Sequence, residues 1–158
     1  MDFIFNVLEN VKEANVLLQS AAVFVVSMVP FLEGYVAASI GVMLGMSPIP
    51  VMAVALIGNW LSIMLIIVLY GKWSVGRQGT GSGKRMERAR KIFGKYGVPG
   101  VALIGPLVFG YHIGAFISLV SGAPKGYVTL WQTIGVALWT VGAGALAMLG
   151  IDIVSHLR

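Results

Sequence analysis

Between residues 14 and 71 the sequence holds a single Asp, Glu, Lys, Arg or His, and it is Glu33, in the run Pro30-Phe31-Leu32-Glu33-Gly34-Tyr35. An acid at the centre of a membrane helix costs about 2.5–3.5 kcal/mol on insertion scales, so a carboxyl kept there marks a functional position. Out of water it favours its neutral form. A group that is protonated in one conformation and ionised in another is what proton coupling requires. The simpler alternative is a carboxyl close to the interface that reaches headgroup water.

Other candidates cluster about two matched sites. Pro30 and Pro106 each lack an amide donor and clash with the preceding turn, which leaves a carbonyl without its helical partner. Gly34 and Gly110 follow, then the hydroxyls of Tyr35 and Tyr111, and then His112, which titrates in the physiological range. Asn59 is a lone amide in an apolar run, with Gln132 as its rough counterpart. Polar side chains in such helices often join helices to one another rather than bind cargo. The candidate proton- and substrate-binding set is therefore Glu33, Gly34, Tyr35, Pro30, Pro106, Gly110, Tyr111, His112 and Asn59. With no cysteine, and with His112 and His156 far apart, neither a metal site nor a cofactor is expected.

The elements that position these residues are read from the charge pattern. Hydrophobic residues make up 58% of the 158 residues and charged ones 11%, outside the range of a soluble domain. The net charge of +5 does not call for nucleic acid, because the basic residues concentrate between Lys72 and Lys95, beside apolar segments, as positive-inside bias explains. The start, with Asp2, Glu9, Lys12 and Glu13, lacks the basic region of a cleaved signal. Residues 2–15 have helical periodicity and predict a short surface helix. Residues 48–70 and 126–151 are each long enough to span about 30 Å of hydrocarbon. Lys84 to Tyr96 places Met86, Ala89, Ile92 and Phe93 at helical spacing among basic residues, an amphipathic helix preceded by a glycine-rich linker at 79–83. That linker looks like a phosphate loop, but Gln78 and Arg85 stand where the loop needs Gly and Ser or Thr.

Residues 16–47 and 98–123 are apolar but broken, and the first of them is too long for one span and short for two. They also resemble each other at an offset of 76, Pro30, Gly34, Tyr35 and Pro48 against Pro106, Gly110, Tyr111 and Pro124, and with a slip of one Gly58 meets Gly135. The reading is an all-α integral membrane protein: two re-entrant helical hairpins plus two transmembrane helices in an inverted repeat, with amphipathic surface helices. It forms one membrane domain over 1–158, with repeat unit 1 at 16–70, a basic cytoplasmic linker and helix at 71–97 and repeat unit 2 at 98–151. Two proline-kinked spanning helices are the alternative. Gly41-x3-Gly45 and Gly110-x3-Gly114 predict close packing of the hairpin arms or a homodimer interface.

Taken in order, Pro30-Phe31-Leu32-Glu33-Gly34, Gly58-Asn59, Phe93-Gly94-Lys95-Tyr96-Gly97 and Gly105-Pro106-Leu107 with Gly110 and Gly114 resemble the small multi-drug export family, a relative of the DedA and VTT membrane proteins. The resemblance covers about residues 16–151. It implies re-entrant hairpins from opposite faces, a membrane-embedded acid at Glu33, and transport, with relatives linked to proton-coupled drug or cation export or to recycling of polyprenyl-phosphate carriers. Residues 97–124 contain no Arg or Lys, so a buried phosphate would lack its guanidinium partner.

The expected function is a small transporter in the cell membrane, with residues 71–96 cytoplasmic, coupling protons to export or flipping of a small amphipathic, cationic or lipid-like substrate. Its expected partners are membrane lipids, that substrate, protons and a second copy of the chain. An uncoupled lipid scramblase and a non-transporting scaffold subunit are the alternatives. An enzyme is not expected, since no nucleophile with its base, metal set or cofactor loop is present.

Overall fold

A computed structural model describes residues 2–11, 13–73 and 84–156. The described residues form seven helices and no strand: α1 (Asp2–Val11), α2 (Val16–Met28), α3 (Gly34–Met43), α4 (Pro48–Trp73), α5 (Lys84–Val108), α6 (Tyr111–Val120) and α7 (Lys125–His156). The glycine-rich run 79–83, expected as a linker, lies outside the described residues.

Local chemistry sets most boundaries. The Asn15 side chain accepts from the Leu18 amide at 2.9 Å and caps α2. That helix stops at Met28, and Val29, restricted by the following proline, is extended. Pro48 opens α4 at a position where a missing N–H costs nothing. At 26 and 32 residues, α4 and α7 run about 39 and 48 Å, beyond the about 30 Å of a bilayer core. By contrast, α3 and α6 have 10 residues each, about 15 Å. Gly97, at φ 63 and ψ −158, breaks α5 between an amphipathic segment at 84–96 and an apolar one at 98–108. This matches the change of character read from the sequence.

The chain divides into two compact units, and each takes part of both long helices. Unit 1 comprises residues 1–59 and 136–158. Its core joins Leu8 of α1, Val23 and Val26 of α2, Ala37 and Val42 of α3, and Ala55 of α4. Helix α1 packs on both α2 and α3, with Leu8 fully buried. Unit 2 comprises residues 60–135, where α5 and α6 pack together. Here Ala89, Val101, Phe109 and Ile117 form the core, and Ile92 and Phe93 pack against it. The opposite face of the 84–96 segment leaves Lys84, Arg88, Arg90, Lys91 and Lys95 exposed. On that face Lys91 Nζ lies 2.8 Å from Glu87 and holds its carboxyl below the ordinary glutamate range.

The two units repeat local backbone geometry at an offset of 77, not 76. Glu33 and Gly110 are the N-caps of α3 and α6, at φ 49, ψ 157 and φ 91, ψ 158. Leu44 and Ser121 end those helices at φ −80, ψ 1 and φ −78, ψ 4, and Gly45 and Gly122 follow at φ 85 and 87. Helices α4 and α7 then begin at Pro48 and Lys125. The one-residue difference arises before the caps: α2 ends ahead of Pro30, whereas α5 continues through Pro106 to Val108. In this register the counterpart of Glu33 is Gly110 rather than Phe109.

Apolar and polar groups are distributed as lipid requires. Leu17 is 80% exposed and Leu146 71%, with Leu65, Leu130 and Leu138 also exposed, while Ser27, Glu33, Asn59, Ser62, Gln132 and Thr140 are buried. Water would favour the reverse, whereas hydrocarbon makes the protein interior the only place where a polar group finds partners. Within the span Lys125–Asp152 only 22% of the most apolar window is buried inside the protein, so α7 is not the core helix of a soluble domain.

Candidate functional site

In unit 1 the candidate residues surround the start of α3. Beyond α2 the chain turns tightly, with the amides of Leu32 and Glu33 donating to the Val29 carbonyl at 3.1 and 3.5 Å. Phe31 (φ 71) and Glu33 (φ 49) both have positive φ. Side chains other than glycine rarely occupy such backbone, which costs about 1–3 kcal/mol and persists where the surroundings impose it. Glu33 is 1% exposed, and its carbonyl accepts from the Ala37 amide at 3.2 Å as α3 begins.

Gly34 allows this turn to dock closely. A Cβ at that position would lie 2.7 Å from the Ala55 carbonyl oxygen, 3.0 Å from Asn59 Cβ and 3.1 Å from Thr140 Oγ1. The start of α3 thus abuts α4 and α7 through backbone, and Asn59 and Thr140, both fully buried, stand beside it. Thr140 had no signal in the sequence. Serines and threonines in apolar helices commonly donate to a carbonyl one turn back, as Ser39, Ser118 and Thr133 do here at 2.8 Å. Thr140 Oγ1 finds no partner among the described residues. Tyr35 stacks at a tilt on Trp139, ring centroids 5.9 Å apart, and Pro30 sits exposed in the turn.

Unit 2 gathers the remaining candidates around the start of α6. Pro106 lies inside the last turns of α5 and has no N–H to offer the Ala102 carbonyl. A Cβ on Gly135 would stand 2.6 Å from that carbonyl oxygen and 3.2 Å from Tyr111 Cε1, so α7 packs against this stretch by its backbone. The amides of Phe109 and Gly110 both donate to Gly105, at 2.9 and 3.0 Å, and close α5. Tyr111 is fully buried and His112 8% exposed. His112 Nε2 is 3.0 Å from Ser62 Oγ of α4, a partner that the sequence did not single out. Ser62→Ala leaves a buried ring nitrogen without this bond and is expected to lower stability by about 1–3 kcal/mol in thermal unfolding. Trp60 Nε1 donates to Thr133 Oγ1 at 2.8 Å, so this tryptophan joins α4 to α7. Gly114 packs on Val101 of α5, in line with the predicted closeness of the arms, whereas Gly41 meets Val51 of α4.

The structure therefore gathers Glu33, Gly34 and Asn59 with Thr140 in one unit, and Pro106, Gly110, Tyr111 and His112 with Ser62 in the other. No group of three or more His, Cys, Asp or Glu that could hold a metal ion occurs among the described residues. Buried hydroxyls, carboxamides and one carboxyl beside interrupted helices can bind a proton or the polar part of a ligand.

Neither a curated protein nor a solved structure matches the chain. A family model described as "Putative small multi-drug export protein" matches residues 33–141, more than half of the sequence, from the buried glutamate at the tip of α3 into α7. By that match the chain belongs to the small multi-drug export family of membrane proteins.

Proposed function

We propose that the protein is a proton-coupled exporter or flippase of the cell membrane that moves a small amphipathic, cationic or lipid-like molecule, with Glu33 as the proton-binding acid. The observation that carries this reading is the fully buried Glu33 carboxyl at a backbone conformation suited to glycine. Retaining an acid where both desolvation and backbone strain oppose it points to a use for the carboxyl. Gly34, Tyr35 and Asn59 border this site, Pro30 turns the chain toward it, and Thr140 adds a hydroxyl to it. Pro106, Gly110, Tyr111 and His112 form the corresponding tip in the second repeat.

In this reading α2–α3 and the apolar part of α5 with α6 are re-entrant hairpins. Their support is length: α3 and α6 reach about half the bilayer core. One crossing, α4, separates the hairpins along the chain, so they enter from opposite faces and form an inverted repeat, an architecture that would relate the family to the DedA and VTT proteins. The basic residues of 71–96 support a cytoplasmic position for that segment, and pairing of two copies would shield the polar tips.

The test is transport by the full chain in proteoliposomes under an imposed pH gradient. Glu33→Gln keeps the shape of the side chain and removes its titration, so it is expected to abolish gradient-driven transport. A variant that transports as fast as the parent, with the same pH dependence, rules the acid out. An apolar groove of about 200 Å³ lined by Ile66, Leu69, Tyr70 and Phe116 favours a second reading, an uncoupled lipid scramblase whose acyl chains follow that groove. Leaflet exchange of fluorescent lipid that needs no pH gradient and survives Glu33→Gln would establish it.

A further inference from the structure

The start of α6 holds polar groups that proton coupling at Glu33 leaves unused. This ten-residue helix begins at a glycine with positive φ, and no side chain caps it. Its first closing bond is Gly114 N–H to Gly110 O, which leaves the amides of His112 and Ile113 without an acceptor within the helix. A helix N-terminus carries partial positive charge, and Gly110, Tyr111 and His112 bury it.

Two independent observations point to a ligand there. Gln132 is 0% exposed, and neither Nε2 nor Oε1 finds a partner among the described residues. His112 Nδ1 is likewise buried without a partner, while Nε2 faces Ser62 Oγ. The repeat locates Gln132. In the register of 77 it corresponds to Ala55 and not, as the sequence suggested, to Asn59, and the Ala55 carbonyl touches the first residue of α3. A Cβ on Gly135, one turn further along α7, would stand 3.2 Å from the ring carbon Cε1 of Tyr111. The correspondence between the units thus assigns Gln132 to the first turn of α6.

These groups are mainly donors. When Ser62 donates to Nε2, the His112 proton is on Nδ1 and joins the Gln132 amide and the helix N–H groups. At the position that corresponds to Glu33 this unit has Gly110, so its own tip brings no carboxyl to the site. No Lys or Arg is present in 97–124, which suits one negative charge rather than two. We propose that the first turn of α6, with Gln132 and His112, binds a small monovalent anion, either a free inorganic ion or the carboxylate of an amphipathic molecule. Gln132 Oε1 then accepts from a water that accompanies the ligand.

The test is thermal unfolding of the purified full chain against sodium bromide and sodium benzoate, each balanced with gluconate at constant ionic strength. A saturable rise in the midpoint is expected, with half-saturation at least tenfold weaker in Gln132→Leu and His112→Phe. A rise with bromide identifies a free inorganic ion, and a rise with benzoate alone identifies a carboxylate. No saturable rise in the parent, or an equal rise in both variants, overturns the site. Should the variants fail to fold, anomalous scattering from crystals of the parent soaked in bromide and, separately, in 4-bromobenzoate decides, with a bromine peak beside Gln132 expected from at least one of them and its absence from both contrary. Because binding is read without transport, the outcome is independent of the role given to Glu33.

Discussion

Glu33→Gly is expected to unfold at a higher temperature than Glu33→Ala, and both are expected to lose gradient-driven transport. The two variants lack the carboxyl equally, so their difference isolates the backbone. At φ 49 and ψ 157, alanine keeps the strain and glycine relieves it. Relief is worth about 1–3 kcal/mol, against about 0.4–1 kcal/mol for the greater freedom of glycine in the unfolded chain. The net is centred near about 1 kcal/mol in favour of Glu33→Gly, from about 0 to about 2.6, read from thermal unfolding in detergent. Gly110, already glycine at the corresponding position, illustrates the relaxed state. Equal stability of the two variants would mean that the strain is no larger than the about 0.4–1 kcal/mol of unfolded-state freedom that glycine adds, and transport by either would mean that the carboxyl is dispensable.

Gly34→Ala is expected to damage unit 1 strongly although it adds a single methyl. The added methyl would meet the Ala55 carbonyl oxygen at 2.7 Å, and a main-chain atom inside α4 cannot rotate away. With Asn59 Cβ at 3.0 Å and Thr140 Oγ1 at 3.1 Å on other sides, α3 must shift from α4 and α7. Overpacking of this kind costs about 1–3 kcal/mol. Since Glu33 precedes this contact directly, transport should fall with stability. Gly142→Ala is the control, because a Cβ there meets nothing within 4 Å. If the two substitutions have the same effect, the close docking of the tip is not what holds it.

Much of the fold was legible because hydrocarbon enforces it. Uninterrupted apolar runs placed α4 and α7 within a few residues, and the alternation of basic and apolar positions placed the 84–96 segment. Breaks near Pro30 and Pro106 were legible as well, since proline and glycine signal geometry directly. Their consequences differed: Pro30 follows the end of α2, whereas α5 tolerates Pro106 in its last turns, where few bonds remain to be lost. This one-residue difference hid the true register and the equivalence of Glu33 with Gly110. Glu33 stood out as the sole charge in its block. Ser62 and Thr140 did not, because a hydroxyl in an apolar helix is ordinarily satisfied by its own backbone. Only their surroundings distinguish them.

The whole account depends on each broken block returning to the face from which it came, and cysteine labelling tests this directly. The native chain has no cysteine, and Glu13, Ser47 and Ser121 are exposed positions that bracket the blocks. Each is replaced singly by cysteine, and an impermeant maleimide is applied to right-side-out and inside-out vesicles. If the first block returns, positions 13 and 47 react from the same face. If the second returns, position 121 reacts from the opposite face to 47, because only α4 crosses between them. Labelling of 13 and 47 from opposite faces, or of 47 and 121 from one face, would contradict the account and replace the hairpins with kinked spanning helices.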